Sequence, residues 1–69
     1  MPLSMVKVGD SGEIKKITGK DETRKFLANL GFAPGTSVTV VSELAGNMIL
    51  GIKGARIALD KAMATRIII

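Results

Sequence analysis

The chain has no cysteine, no histidine, no tryptophan and no tyrosine among its 69 residues. Without cysteine no disulfide framework can support the fold, a composition that suits a reducing compartment. Without histidine or cysteine, nearly every zinc, haem, iron–sulfur and copper site is excluded. Only carboxylates remain as metal ligands, and Asp10, Glu13, Asp21, Glu22, Glu43 and Asp60 are scattered along the chain. Asp10 with Glu13 is the nearest thing to a pair, and it reads as a turn with solvated acids. No metal ligand and no cofactor-binding residue is assigned.

Aromatic side chains are almost absent. Phe26 and Phe32 are the only two. Single-strand nucleic-acid binders of this size rely on aromatic stacking platforms, and polyproline grooves need exposed aromatics. Both readings are disfavoured, because Phe26 is expected on a buried helical stripe and Phe32 beside a turn, both in the core. Long hydrophobic runs are missing too. Apolar runs such as Ile67–Ile69 do not exceed three residues, far below the length needed to cross a bilayer. No basic segment followed by an apolar one opens the chain, so no signal peptide is expected and a cytoplasmic location is the default.

The catalytic motifs also fail. A serine or threonine nucleophile needs a base beside it, and without histidine only an unmarked lysine could serve. Gly12 and Gly19 precede Lys20, but six residues separate those glycines where a phosphate loop has four, and Asp21 follows the lysine. Gly46 and Gly51 have the correct gap but are followed by Ile52. No catalytic residue is assigned, and the chain is read as a binding protein, not an enzyme.

What is present is an aliphatic, moderately basic chain. Hydrophobic residues make up 46% of it and the net charge is +4; the mean hydropathy is +0.34 and the pI near 9.9. At this length one domain spanning residues 1–69 is expected, with a thin core, since such chains bury roughly 60% of their unfolded surface. The basic residues alternate with acids and never run longer than Lys15-Lys16. That argues for a solvated mixed-charge surface over a nucleic-acid stripe.

The glycines divide the chain into elements. Leu3 to Lys7 allows one helical turn with Ser4 as cap, followed by a turn at Gly9-Asp10-Ser11-Gly12. Glu13 to Thr18 reads as a strand with Ile14 and Ile17 buried; their spacing of three requires a bulge or bend. Asp21 is placed to cap a helix running to Leu30, with Phe26, Leu27 and Leu30 as its apolar stripe. Gly31 suits a left-handed C-terminal position, and Pro34-Gly35 a type II turn.

Thr36 to Glu43 reads as the next strand, with Val38 and Val40 on one face and Ser37, Thr39 and Val41 on the other. A hairpin at Ala45-Gly46-Asn47 leads to the strand Met48–Lys53, whose Met48, Leu50 and Ile52 point inward and Ile49 outward. After Gly54, Ala55–Leu59 returns with Ile57 and Leu59 inward. A helical turn at Asp60–Ala64 precedes a last strand, Arg66–Ile69, with Ile67 and Ile69 facing in. Five short strands and one helix are most economically arranged as a mainly β, small closed barrel, SH3-like, with an OB-like barrel as the alternative.

Several pieces of this pattern resemble one known family. Leu3-Ser4 with Val6-x-x-Gly9-x-x-Gly12, then Arg24 to Leu30-Gly31 and Pro34-Gly35, then Gly54-x-Arg56-Ile57-Ala58-Leu59 with Ala64 and Ile67-x-Ile69, follow the order and spacing of the FeoA family. The resemblance spans essentially the whole chain. It implies an SH3-like barrel, a role in ferrous iron uptake, and a partner in the cytoplasmic G domain of the iron permease FeoB, whose activity the family is thought to modulate. Related domains end iron-dependent repressors, but no helix-turn-helix region accompanies this one. The family brings no catalytic residues, contact with the membrane is expected only through the partner, and self-association stays open. The opening Val8-Gly9-Asp10-x-Gly12-x-Ile14 also resembles the start of KOW elements, which keeps a basic barrel binding nucleic acid or ribosome as the alternative reading.

A partner surface can be placed from alternation. Val41 and Ile49 fall on the face opposite the inward residues, with Leu44 nearby and Lys53 and Arg56 as a basic rim. These five are the candidate partner-binding residues.

Overall fold

The computed structural model describes residues 1–69. Eight regular elements follow a single 3-10 turn at Leu3–Met5. They are β1 (Ser11–Glu13), β2 (Lys16–Ile17), α1 (Asp21–Asn29), β3 (Ser37–Leu44), β4 (Asn47–Ile52), β5 (Ala55–Asp60), α2 (Lys61–Ala64) and β6 (Ile67–Ile68). β1, β3, β4 and β5 form one antiparallel sheet in the order β1-β3-β4-β5, and β2 pairs with β6 in a second.

The strand expected over Glu13–Thr18 is therefore two strands in two sheets. The spacing of three between Ile14 and Ile17 marks the break: the chain bends at Ile14-Lys15 so that Ile14 stays buried while the following pair moves to β6. Ile17 is half-buried, packed against the core. The result is six strands instead of five.

Both hairpins of the main sheet are two-residue turns with positive φ at each central position: 52° and 82° at Ala45-Gly46, 49° and 79° at Lys53-Gly54. This is the type I′ geometry, whose twist matches that of the flanking strands. Between them β4 keeps strict alternation, and Met48, Leu50 and Ile52 are all buried.

α1 ends in a complete Schellman motif. Phe32 N–H donates to Leu27 O at 3.0 Å and Gly31 N–H to Ala28 O at 2.9 Å. The motif needs a left-handed residue between them, and Gly31 supplies it at φ +104°. The turn also swings Phe32 back onto the core, where it and Leu27 are both fully buried. The Ala33–Thr36 turn closes as expected, with Thr36 N–H donating to Ala33 O at 3.1 Å.

Three local expectations fail. Ser4 caps nothing; its Oγ lies 2.8 Å from Thr65 Oγ1 and ties the first turn to the end of α2. Asp21 is the first helical residue rather than the cap, which is Lys20, and its carboxylate pairs with Arg24 one turn on. Phe26 is not core: it is 48% exposed, because Leu27 takes the inward position of α1 and Phe26 falls on its flank. Asp60, which opens the expected helical turn, caps α2, its carboxylate accepting from Met63 N–H at 2.8 Å.

Thirteen buried residues, every one hydrophobic, form a single core cluster. The ends of the chain close it. Ile67 is fully buried, and Met1 N lies 2.6 Å from Ile69 O. Ile69 packs over Gly12: a Cβ there would sit 2.7 Å from its Cδ1, so a larger residue in the middle of β1 would require the Ile69 side chain to shift.

Candidate functional site

With only apolar residues buried, the interior holds no polar or titratable group. Nor do three carboxylates converge anywhere: no group of three potential metal ligands forms. Ferrous iron prefers sites with nitrogen or several oxygen ligands, which this surface does not assemble. The isolated protein is expected to bind ferrous iron weakly or not at all. Anaerobic equilibrium dialysis giving one iron per chain at micromolar free metal would contradict this.

The outer face of the main sheet carries the residues picked from alternation. Pairing sets them in three rows. Ser42, Ile49 and Ala58 lie side by side at the centre; Thr39, Gly51 and Arg56 form the row on one side, and Leu44, Asn47 and Asp60 the row on the other. The outer rows are roughly 13 Å apart at about 3.3 Å per residue.

A bulge between Val40 and Ser42 shapes the centre of this wall. Val41 is the extra residue. Its Cγ2 lies 3.4 Å from the point a Gly51 Cβ would occupy, so Val41 lies over the glycine and both it and Ile49 are half-buried. The bulge also reverses the parity of β3. Unbroken alternation from Val38 and Val40 would turn Leu44 inward; instead Leu44 pairs with Asn47, on the outer face, and is 72% exposed.

Val41 thus lies over Gly51, two residues along β4 from Ile49, and Lys53 and Arg56 come together at one hollow, whereas Leu44 stands apart at the other end of the wall. Leu44 is beside one hairpin; Lys53, in the turn of the other, lines a shallow hollow together with Arg56, Ser37 and Thr39. The basic rim flanks one end of the wall only. At the other end Lys61 Nζ lies 3.6 Å from Glu43 Oε2.

A second surface escaped sequence reasoning. One flank of α1 (Arg24, Lys25, Ala28) faces β2 and the Ala33-Pro34 turn across a groove of about 470 Å³. The helical spacing of Asp21, Arg24, Lys25 and Ala28 could have marked that flank from sequence. The strand across from it could not be foreseen, since it exists only where β2 leaves the main sheet.

A helix-topped pair of small sheets closed on one apolar core is the SH3-like class of barrel. A protein from Stenotrophomonas maltophilia described as FeoA complexed with zinc, and as an SH3 domain protein, shares this fold with a TM-score of 0.86; the two are 23% identical over 99% of this chain and 87% of that one. The model of the FeoA domain matches residues 1–69, and the chain belongs to the FeoA family. It is similar to the crystal structure of an iron uptake regulatory protein (FeoA), at 31% identity and a TM-score of 0.90 over 97% of this chain and 91% of that chain. It is 28% identical over 68 residues to a protein of Methanocaldococcus jannaschii named for Fe(2+) transport, covering 99% of this chain and 83% of that protein. The family ties the chain to ferrous iron transport as an accessory.

Proposed function

We propose that this protein is a non-enzymatic, cytoplasmic accessory of ferrous iron uptake that binds the G domain of the membrane transporter FeoB and modulates its activity. The observation that carries this reading is the match of the whole chain to the FeoA domain. The surface supports it. The centre of the outer wall presents Ile49 and Val41 with Arg56 at hand, the composition of an interface core. No helix of the chain is long and apolar enough to cross a membrane.

The test is association of the purified protein with the purified G domain, followed by calorimetry with and without guanine nucleotide. Saturable one-to-one binding that weakens with salt is expected, because the net charge of +4 favours an acidic partner surface. Absence of binding at about 100 μM of either component, in every nucleotide state, would overturn the reading. Steeper salt dependence toward an oligonucleotide than toward the G domain would favour a nucleic-acid role instead.

A further inference from the structure

We propose that the groove between α1 and β2 is a docking site for an extended, acidic segment of a partner protein, which adds to the free edge of β2 as a short strand. This surface is distinct from the outer sheet wall, and the inference stands whether or not the G domain is the partner.

Three observations converge on the strand edge. β2 pairs with β6 on one side only. Lys16 and Ile17 both line the groove, and consecutive strand residues point to opposite faces. A groove bordered by both is therefore at the edge of the strand, not on one of its faces. The hydrogen bonds agree. Thr18 N–H donates to Arg66 O of the β6 side at 2.7 Å, and antiparallel alternation then turns the Ile17 N–H and C=O away from β6, toward the groove.

The neighbouring backbone explains why this edge is uncovered. At Ile14 the same side of the chain is paired: Ile14 N–H donates to Thr36 O at 2.9 Å and its carbonyl accepts from Gly35 N–H at 2.8 Å. Pro34 comes next and has no N–H to donate. The covering segment veers off in the Ala33–Thr36 turn, and α1 stands across a gap. An exposed strand edge of this kind is a template for an added strand.

The walls define the occupant. Ala28, Ala33 and Pro34 give an apolar lining, backed by Phe32. The rim carries Lys16, Arg24 and Lys25 against a single carboxylate, Asp21, which is already engaged by Arg24. The protein's two ion pairs leave Lys16 and Lys25 without an acid. Alternating apolar and acidic side chains on an extended segment would satisfy both: one set against the lining, the other toward the lysines.

The probe is an acetylated hexapeptide of alternating glutamate and leucine, titrated into the isotope-labelled full chain and followed by amide shifts. Saturable shifts are expected at Lys16, Ile17, Arg24, Lys25 and Ala28, with slowed hydrogen exchange at the Ile17 amide. A doubly reversed variant, Arg24→Glu with Lys25→Glu, should bind about tenfold more weakly while keeping its circular dichroism, since both side chains are exposed. The same peptide N-methylated at alternate positions keeps its charge but cannot pair with the edge, and should lose about fivefold or more. The inference fails if the shifts map to Ile49 and its neighbours, or if no saturation occurs by about 1 mM. It fails equally if a lysine–leucine peptide binds as tightly, if N-methylation changes nothing, or if an oligothymidylate of equal charge shifts the same amides at lower concentration. The assay contains no transporter domain, so its failure would leave the iron-uptake role untouched.

Discussion

Phe32→Ala is expected to destabilise the fold by about 3–5 kcal/mol, the usual cost of deleting a buried phenylalanine side chain. Stability of roughly 0.05–0.15 kcal/mol per residue gives a chain of this length only about 3–10 kcal/mol in total, so the variant should be marginal or unfolded at room temperature. Two roles coincide at this residue. Phe32 is among the largest fully buried side chains, and it is the residue whose N–H closes the Schellman motif onto Leu27 O. The alanine variant keeps that backbone bond and loses the packing of Phe32 on Leu27, so it isolates the cavity term. Phe32→Leu, which refills most of the volume, should cost clearly less. With no tryptophan or tyrosine to report, far-ultraviolet circular dichroism in urea is the measurement. A shift below about 1 kcal/mol at unchanged m would mean that α1 and its C-terminal turn contribute little to the cooperative core.

Ile49→Lys should weaken binding to the transporter G domain by about 1–3 kcal/mol, or roughly 5- to 150-fold in Kd, if Ile49 is an interface anchor. The position suits the test because Ile49 sits at the centre of the outer wall between Ser42 and Ala58 and is only half-buried. A lysine there can extend its charged end into water without opening the core. Leu44→Lys, at the exposed end of the same face, is the comparison: hot spots cluster at interface centres, so it should have the smaller effect. Arg56→Ala should mainly flatten the salt dependence. An Ile49→Lys protein that keeps its circular dichroism and binds with wild-type affinity would remove this wall as the contact surface.

Wherever structure follows from neighbouring residues, it was legible in the sequence. Gly31 at the end of α1, Pro34-Gly35 in its turn, the two hairpins and the inward set Met48, Leu50 and Ile52 all lie where propensity and period two place them. Local capping was less secure. Asp21 and Ser4 have the right chemistry for caps, but whether a helix starts at, before or after such a residue depends on the angle at which the chain arrives, and Lys20 and Pro2 occupy those positions.

The fold, and the family with it, rests on spacing: the order of glycines and apolar residues from Leu3 to Ile69 is a one-dimensional record of turns and strands, and the whole-chain family match reflects it. The candidate surfaces depend on distance through space. The extra residue Val41, which sends Leu44 outward, is visible only once β3 is paired with β4, because alternation carries no mark of an insertion in register. Phe26 and Leu27 are adjacent and both apolar; packing onto the core chose one and left the other on the flank. The groove exists because β2 departs from β1 to join β6, a long-range pairing between Lys16 and Ile68 that no local pattern encodes. The sequence by itself determined which residues turn and which alternate, since those are set within a few bonds; only the tertiary structure decided which edges stay open, since an edge is defined by the strand that fails to arrive.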